Sequence, residues 1–298
     1  MTSKPIVTVG LMVYNEIDYI EETVRTWLDQ DLQSLELLIV DNASTDGTRE
    51  KLLELAQFDE RVKLILRDRN EGAYSSVATL LDRATTPFFV LSGGHDLFPS
   101  NYLSSLAAVL QEDPDVALVT GRLQLIAADG SPNGFSGPLL DTRHVNDPVT
   151  RLALGIWCDA AAIHGMFRTS VLKKIRFEKN FFAAIWLLLC EVSLRGTFAC
   201  VSDVVWQRRM PRAPLDRDAM ITRYYQILFE RPRRPLLPHW TYFIYAARAT
   251  FRSPGGAKAR LRIAFVFVGG LARWIMYLID DIKRFPSRLV TRSTERPA

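Results

Sequence analysis

Cysteine is scarce in this chain: three residues in 298, Cys158, Cys190 and Cys200, with no CxxC pair among them. That excludes a disulfide-stapled scaffold and a cysteine zinc ribbon. The apolar neighbours of each thiol read as reduced core positions of a cytosolic protein. A basic, apolar, small-residue leader is also missing, since MTSKPIVTVGLMVYNE passes directly into a strand pattern, and no signal peptide is expected. The apolar segment Ile263 to Ile279 is broken by Arg273, and its uncharged run of ten residues falls short of the ~18 that a membrane-crossing helix needs. No Gly-rich signature with a following base accompanies the first strand, which speaks against a nucleotidyltransferase. Acids are absent from Arg231 to Ile279, where nine bases stand.

What is present supports a folded enzyme-sized body. The hydrophobic fraction of 48% over 298 residues suffices for one large domain, or one domain with an appendage. The net charge of +4 is unevenly spread: residues 231–298 hold fourteen bases and three acids, leaving residues 1–230 at −7. An acidic body with a basic tail points to an anionic surface as the tail's partner.

The N-terminal half alternates strand and helix. Pro5 to Val13 reads as a strand, Tyr14-Asn15-Glu16 as a turn, and Ile17, Ile20, Val24, Trp27 and Leu28 as the apolar face of a helix. Leu35 to Val40 is a second strand closed by DNASTDGT, where Ser44 or Asp46 can cap the helix carrying Leu52, Leu53 and Leu55. Val62 to Leu66, the turn Asn70-Glu71-Gly72 and the helical stretch Ala73 to Ala84 follow, then the apolar strand Pro87 to Ser92. Such alternation implies βαβ units in a parallel, doubly wound sheet, whose ligands bind at the carboxyl ends of the strands. Val13 to Glu16, Asp41, Asn70 and Asp96 all fall there. In PFFVLSGGHDLFPSNY, Asp96 is a candidate metal ligand or, alternatively, the cap of a helix starting near Pro99.

The ordered set YNE, VDNASTDGT and the NEG that precedes a long helix resembles the family 2 inverting glycosyltransferases over roughly residues 5–210. The resemblance implies an α/β, GT-A (nucleotide-diphospho-sugar transferase) fold, Rossmann-like, with a mostly parallel sheet and helices on both faces. It implies that Val13, Tyr14, Asn15, Glu16, Asp41, Asn70 and Gly72 line the nucleoside pocket, with a UDP-sugar favoured. The acid matching Asp96 ends the family's DxD-type motif and binds a divalent cation, Mn2+ or Mg2+, that bridges the diphosphate. A hard cation on carboxylates neutralises the growing charge of a diphosphate leaving group. Gly94 replaces the usual first acid and His95 stands in the middle, so weak metal affinity without nucleotide is expected.

The acceptor half departs further from the family pattern. Val116 to Thr120 and Leu123 to Ala127 look like strands, Ala128 to Ser131 like a turn, and residues 128–150 like a long surface loop. His164 to Arg168 matches the family's donor-sugar segment. In Ala184 to Gly196, a helix apolar nearly all round, Ile185 occupies the place of the family's base. The replacement base is sought among Asp159, His164 and Glu191, with Glu191 also readable as a partner for Arg195 or Arg208. Val201 to Trp206 reads as a closing strand, and Arg208 or Arg209 matches a basic group that meets the diphosphate.

Two domains are expected, residues 1–210 and a helical tail, residues 211–298. Pro211 to Asp218 reads as a linker and Ala219 to Phe229 as a helix, with apolar segments from Pro238 to Ala247 and from Ile263 to Ile279. The tail is expected either to lie in an anionic membrane interface, with Trp240, Tyr242, Tyr245, Trp274 and Tyr277 at headgroup depth, or to pack on the body or a second subunit. Nucleic acid is a poorer partner for bases interleaved with apolar stretches. The whole reads as a cytoplasmic transferase, peripheral at the inner face of the membrane. It would move a sugar to a glycan or lipid-linked acceptor in cell-surface polysaccharide assembly. A catalytically degenerate member that only binds nucleotide sugar or scaffolds partners is the rival.

Overall fold

A computed structural model describes residues 4–135, 140–178, 183–210, 227–228, 237, 239–270, 275, 278–279 and 281–283. Eight strands form one sheet: β1 (Val7–Val13), β2 (Leu35–Asp41), β3 (Val62–Leu66), β4 (Phe88–Gly93), β5 (Val116–Ala127), β6 (Pro132–Phe135), β7 (Met166–Arg168) and β8 (Thr197–Met210). Their order is β3-β2-β1-β4-β7-β5-β6, with β8 along the other edge of β5. Strands β1 to β4 pair in parallel, as does β8 with β5, whereas β7 lies antiparallel between β4 and β5.

Helices cover both faces because the strands are apolar on both sides. On one face α1 (Ile20–Leu28), α2 (Thr48–Phe58) and α4 (Tyr102–Glu112) bury Trp27, Leu52 and Leu106 against Val7, Val9, Leu11 and Val13. On the other, α3 (Ala73–Arg83), a 3-10 turn (Ala160–His164), the short α6 (Thr169–Leu172) and α7 (Ala184–Ser193) meet Phe89, Leu91 and Phe198. A Cβ on Gly10 would lie 2.9 Å from the Phe89 ring, which shows how closely that layer is pressed.

Three expectations change. The two strands read at Val116 to Thr120 and Leu123 to Ala127 are one strand, kinked by a bulge at Gly121/Arg122 where β8 carries extra residues. The closing strand runs past Val201 to Trp206 in both directions. The stretch read as a long loop holds β6 and the start of α5 (Pro148–Gly155), whose first turn Asp147 caps by accepting the Thr150 N–H at 3.0 Å. An Asp-Pro start signal marks that helix in the sequence.

The tail forms a hairpin, α8 (Thr241–Arg252) and α9 (Ala257–Gly269), turned at Gly255 (φ +99°). It packs on α5 and α7: Tyr242, Ala246, Ala249, Ile263 and Phe267 are buried with Leu152, Ile156, Leu187 and Leu194. Each large apolar side chain so buried contributes about 1.5–3 kcal/mol. Tyr242 is therefore a core residue rather than a headgroup contact. The expected linker, the segment Ala219 to Phe229 apart from residues 227–228, Trp274 and Tyr277 lie outside the described residues.

Ion pairs lock the hairpin down. Arg252 reaches Glu178 at 2.8 Å and the buried Glu191 at 3.2 Å, and Arg262 reaches Asp147 at 2.7 Å. Replacing Arg252 with Met leaves Glu191 with Arg195 alone and is expected to destabilise the fold by about 1–3 kcal/mol in urea unfolding. Adding Glu191→Gln to that variant should recover part of the loss.

Candidate functional site

The loops at the carboxyl ends of β1 and β2 are tied to each other by the motif that links β2 to α2. The Asn15 N–H donates to Ser44 Oγ at 3.0 Å, the Thr45 N–H to Asn15 Oδ1 at 2.9 Å, and the Glu16 N–H to Thr48 Oγ1 at 2.9 Å. Asp46 holds both the Ile17 N–H (3.2 Å) and the Thr48 N–H (3.0 Å). Two residues here are left-handed, Asn15 (φ 55°) and Ala43 (φ 66°), a strain that this bonding sustains. Tyr14, 45% exposed, projects from the tied loop, while Val13 is buried beneath it.

Asp41 is fully buried. Its Oδ1 accepts the Ser44 N–H at 3.1 Å and its Oδ2 pairs with Arg49 Nε at 2.7 Å. In this conformation its carboxylate shapes the floor of the site, while Arg49 bonds onward to the Arg67 carbonyl. Asn70 plays a similar part: its Oδ1 accepts from Asn42 Nδ2 (2.7 Å) and from the Gly72 N–H (2.8 Å). Gly72 (φ 79°) then turns the chain into α3. Arg49, Arg67 and Asn42 were missed from sequence. A base in the first turn of α2, where a helix disfavours positive charge, was the readable sign that a carboxylate waited nearby.

At the end of β4 the loop 94–98 is fastened to β8. Leu97 and Gln207 exchange N–H···O bonds of 2.9 and 2.8 Å. The Arg209 N–H donates to Asp96 Oδ1 at 3.2 Å, and its guanidinium bonds Glu22 Oε2 (2.7 Å) and the carbonyls of Ala128 (3.0 Å) and His95 (3.3 Å). Beneath the loop, Phe98 stacks on Trp27 (4.0 Å) and Trp206 (5.4 Å), an aromatic platform that sequence patterning did not single out. Asp96 is thus a strand-end carboxylate and not a helix cap; α4 begins at Tyr102 after Asn101, without a side-chain cap.

His95 lies between two carboxylates, with Nδ1 3.0 Å from Glu16 Oε1 and Nε2 3.9 Å from Asp96 Oδ1. Burial opposes its protonation, but the Glu16 hydrogen bond and the charges of Asp96 and Glu16 outweigh burial, and its pKa is raised. A Cβ on Gly94 would sit 3.0 Å from Glu16 Cγ. Glu16 therefore fills the space that a side chain at 94 would use, and its carboxylate meets the side of the His95 ring opposite Asp96. Among the described residues no three His, Cys, Asp or Glu side chains converge as a metal cage. Asp96 and the His95 Nε2 that faces it fit a hard cation only if the remaining ligands come from phosphate oxygens and water.

Of the candidate bases, His164 is buried behind Asp96. Its Nδ1–H donates to the Leu91 carbonyl at 2.9 Å, which leaves Nε2 as acceptor, and its ring lies 5.2 Å from Trp206. Burial chiefly, with Arg208 and His95 adding repulsion, lowers its pKa despite the attraction of Asp96. Asp159 is exposed at the start of the 3-10 turn and accepts the Ala161 N–H at 2.8 Å. Glu191 does not join them: it lies within the α7–α8 contact, held by Arg195 and Arg252, and burial raises its pKa. Arg168 is also misplaced by the sequence reading. It pairs with Phe88 at the amino end of β4, remote from Asp96, and caps the end of α4 through the carbonyls of Leu110 and Asp113 (2.7 and 3.0 Å). Ile185 is half-buried against the apolar clusters around α7.

Arg208 and Arg209 part ways because neighbours in a strand point to opposite faces. Arg209 is committed to the loop. Half-buried Arg208 lies close enough to His95 and His164 to disfavour their protonation, and no hydrogen bond or ion pair engages it among the described residues.

Comparison with solved structures places the fold in the GT-A class. The Staphylococcus aureus protein TarS, residues 1–349 in complex with UDP-GlcNAc, superposes with a TM-score of 0.65 at 16% identity, covering 89% of this chain and 72% of that one. The sequence model described as glycosyl transferase family 2 matches residues 8–136, somewhat less than half of the chain. A Bacillus subtilis relative named as a teichuronic acid biosynthesis glycosyltransferase, TuaG, is 35% identical over 43% of this chain and 51% of its own length. The Escherichia coli UDP-Glc:alpha-D-GlcNAc-diphosphoundecaprenol beta-1,3-glucosyltransferase WfgD is 26% identical over 45% of this chain and 51% of its own. The chain thus spans about half the length of these curated relatives.

The two histidines carry opposite pH signatures. The unfolded chain takes up a proton on His164 near its ordinary pKa of 6.5, which the folded protein refuses. Its contribution therefore falls as pH drops below about 6.5, until the lowered folded pKa is passed. His95 acts the other way, its stabilisation being lost as pH rises through its raised pKa. His164→Gln, which keeps a donor for Leu91, should flatten the acid-side loss in unfolding midpoints measured from pH 7.5 to 5, while His95→Gln should not.

Proposed function

We propose that the chain is an inverting glycosyltransferase that moves a sugar from a nucleoside-diphosphate sugar, UDP-linked by preference, to a hydroxyl of a glycan or lipid-linked acceptor in surface polysaccharide assembly. The observation that carries this reading is that a rigid carboxylate, Asp96, and the uncommitted Arg208 both lie near His95 and His164 at the carboxyl end of the sheet. Exposed Tyr14 and the Asn70-Gly72 turn provide the adjoining face for a nucleoside. Arg208 is suited to a phosphate because a guanidinium donates to two oxygens at once. The UDP-GlcNAc bound by TarS and the UDP-glucose and undecaprenol-linked substrates in the name of WfgD support the donor and acceptor classes.

Asp96, with His95 Nε2 facing it, would hold a divalent cation together with the diphosphate, and the cation would supply neutralisation of the leaving group's charge. Inversion asks for one base on the face opposite the leaving group. His164 and Asp159 remain for that role; the Leu91 bond already sets His164 in the proton-accepting tautomer at Nε2. A second reading, nucleotide-sugar binding without turnover, is favoured by Ile185, which sits in apolar packing where the family carries its base.

Titration calorimetry with UDP, GDP and dTDP, each with and without Mn2+, tests the donor site. UDP is expected to bind with metal dependence. Arg208→Ala and Asp96→Ala should each weaken it by roughly tenfold or more, equivalent to ~1.4 kcal/mol. Absence of binding by every nucleotide would overturn the proposal. UDP-sugar binding with product formation below detection would select the second reading, and equal turnover in His164→Gln and Asp159→Asn variants would remove both bases.

A further inference from the structure

The inward face of the α8–α9 hairpin is accounted for by its packing on α5 and α7. The outward face is not. On α8, Ile244, Arg248 and Phe251 share one exposed side, at a spacing that a helix brings into line, while Tyr242, Ala246 and Ala249 face inward. On α9 the exposed row is Lys258, Leu261, Phe265 and Val268, opposite the buried Ile263 and Phe267. Phe251 is 75% exposed and Phe265 68%, values unusual for large apolar side chains on a surface meant only for water. Beyond the hairpin, Ile275, Ile279 and Ile282 are exposed as well.

The charge on this surface has one sign. From residue 239 to residue 279 the chain contains no Asp or Glu, while Arg248, Lys258 and Arg260 are exposed beside the apolar rows. Arg262 and Arg252, by contrast, are spent on Asp147, Glu178 and Glu191. A second protein copy would match the apolar rows, but the acidic patch required to answer the bases is not part of the hairpin. An anionic bilayer answers both features at once: acyl boundary for the apolar rows, headgroup phosphates for the bases. Among the described residues no helix is long and apolar enough to cross a membrane, so the fit is to an interface, parallel to its plane.

We infer that the outward face of the α8–α9 hairpin docks the protein on an anionic membrane surface, with Ile244, Phe251, Leu261, Phe265 and Val268 entering the headgroup boundary and Arg248, Lys258 and Arg260 meeting lipid phosphates. The hairpin is not a loose tether. Its inner face is fused to α7 and α5, and Ile156 at the end of α5 packs against Gly270. From Ile156 the chain runs through exposed Trp157 and the 3-10 turn to His164 at the site. Docking would thus hold the site at a fixed orientation to the bilayer and present it to acceptors anchored there. The surface rests on its own observations; only the consequence for lipid-linked acceptors rests on the proposed transferase activity.

Flotation of the full chain with vesicles, without donor or acceptor, tests the docking separately from catalysis. The chain should float with phosphatidylcholine vesicles containing phosphatidylglycerol and stay behind with phosphatidylcholine alone. Leu261→Ser combined with Phe265→Ser should lower the partition coefficient by roughly tenfold or more, as should Arg248→Glu with Arg260→Glu, whose effect should shrink in high salt. Both pairs are exposed, and thermal melts should match those of the unaltered chain. Equal flotation of the unaltered chain and both variants would overturn the inference, as would failure of the unaltered chain to bind anionic vesicles. A dimer in sedimentation that the Leu261/Phe265 variant dissociates, without vesicle binding, would assign the face to a subunit contact instead. None of these results depends on nucleotide binding, so docking can fail while the donor-site proposal stands, and the reverse.

Discussion

The site depends on a clamp between segments far apart in the chain: the loop after β4 and the end of β8. The backbone bonds of Leu97 with Gln207, and the bond from the Arg209 N–H to the Asp96 carboxylate, join residues more than a hundred positions apart. The Arg209 guanidinium adds Glu22, the carbonyls of His95 and Ala128, and the Tyr19 ring at 4.9 Å. Hydrogen bonds to charged groups are worth about 1.5–3 kcal/mol each, more than neutral ones, and here one cation serves several. A carboxylate held still beforehand spares whatever ligand meets it the cost of ordering it. The clamp and the aromatic platform of Trp27, Phe98 and Trp206 provide that rigidity from below and from the side.

A different logic governs the loops after β1, β2 and β3. Parallel strands end with backbone donors and acceptors that no neighbour satisfies, and buried ones must find partners. The Asn, Ser, Thr and Asp side chains of the DNASTDGT motif supply them, so much of what reads as a ligand-contacting motif is also internal bonding. Asp41 is the clearest instance, its two oxygens being engaged by Ser44 and Arg49. The groups left over are Tyr14 at the rim and Arg208 facing the histidines. Chemistry toward a ligand falls to what the scaffold has not consumed.

Of the two expectations for the tail, a helical hairpin packed on the body is what the inward faces of α8 and α9 form; the inferred membrane contact concerns their outward faces alone. The inward face is settled by burial of Tyr242, Ile263 and Phe267 and by the Arg252 ion pairs. Glu191, a carboxylate in a buried helix, took its meaning from that docking: two guanidinium groups counter part of its desolvation, a structural use of charge rather than a catalytic one.

The alternation of apolar runs with amphipathic helices, and the polar motifs at the strand ends, determined by themselves the parallel α/β core of residues 5–112 and the cluster of Tyr14, Glu16, Asp41, Asn70 and Asp96 at one edge. Periodicity and turn chemistry are local, and consecutive βαβ units leave few ways to assemble. Past that point contacts between distant segments decided the outcome. Nothing near Arg168 told that it caps α4, nothing near Arg208 and Arg209 told which would be spent on the loop, and nothing near Gly94 told that Glu16 occupies its missing side chain's space. Those assignments depend on which partner reaches a charge first in three dimensions, and burial, the quantity that makes an unpaired charge costly, exists only once the chain has folded.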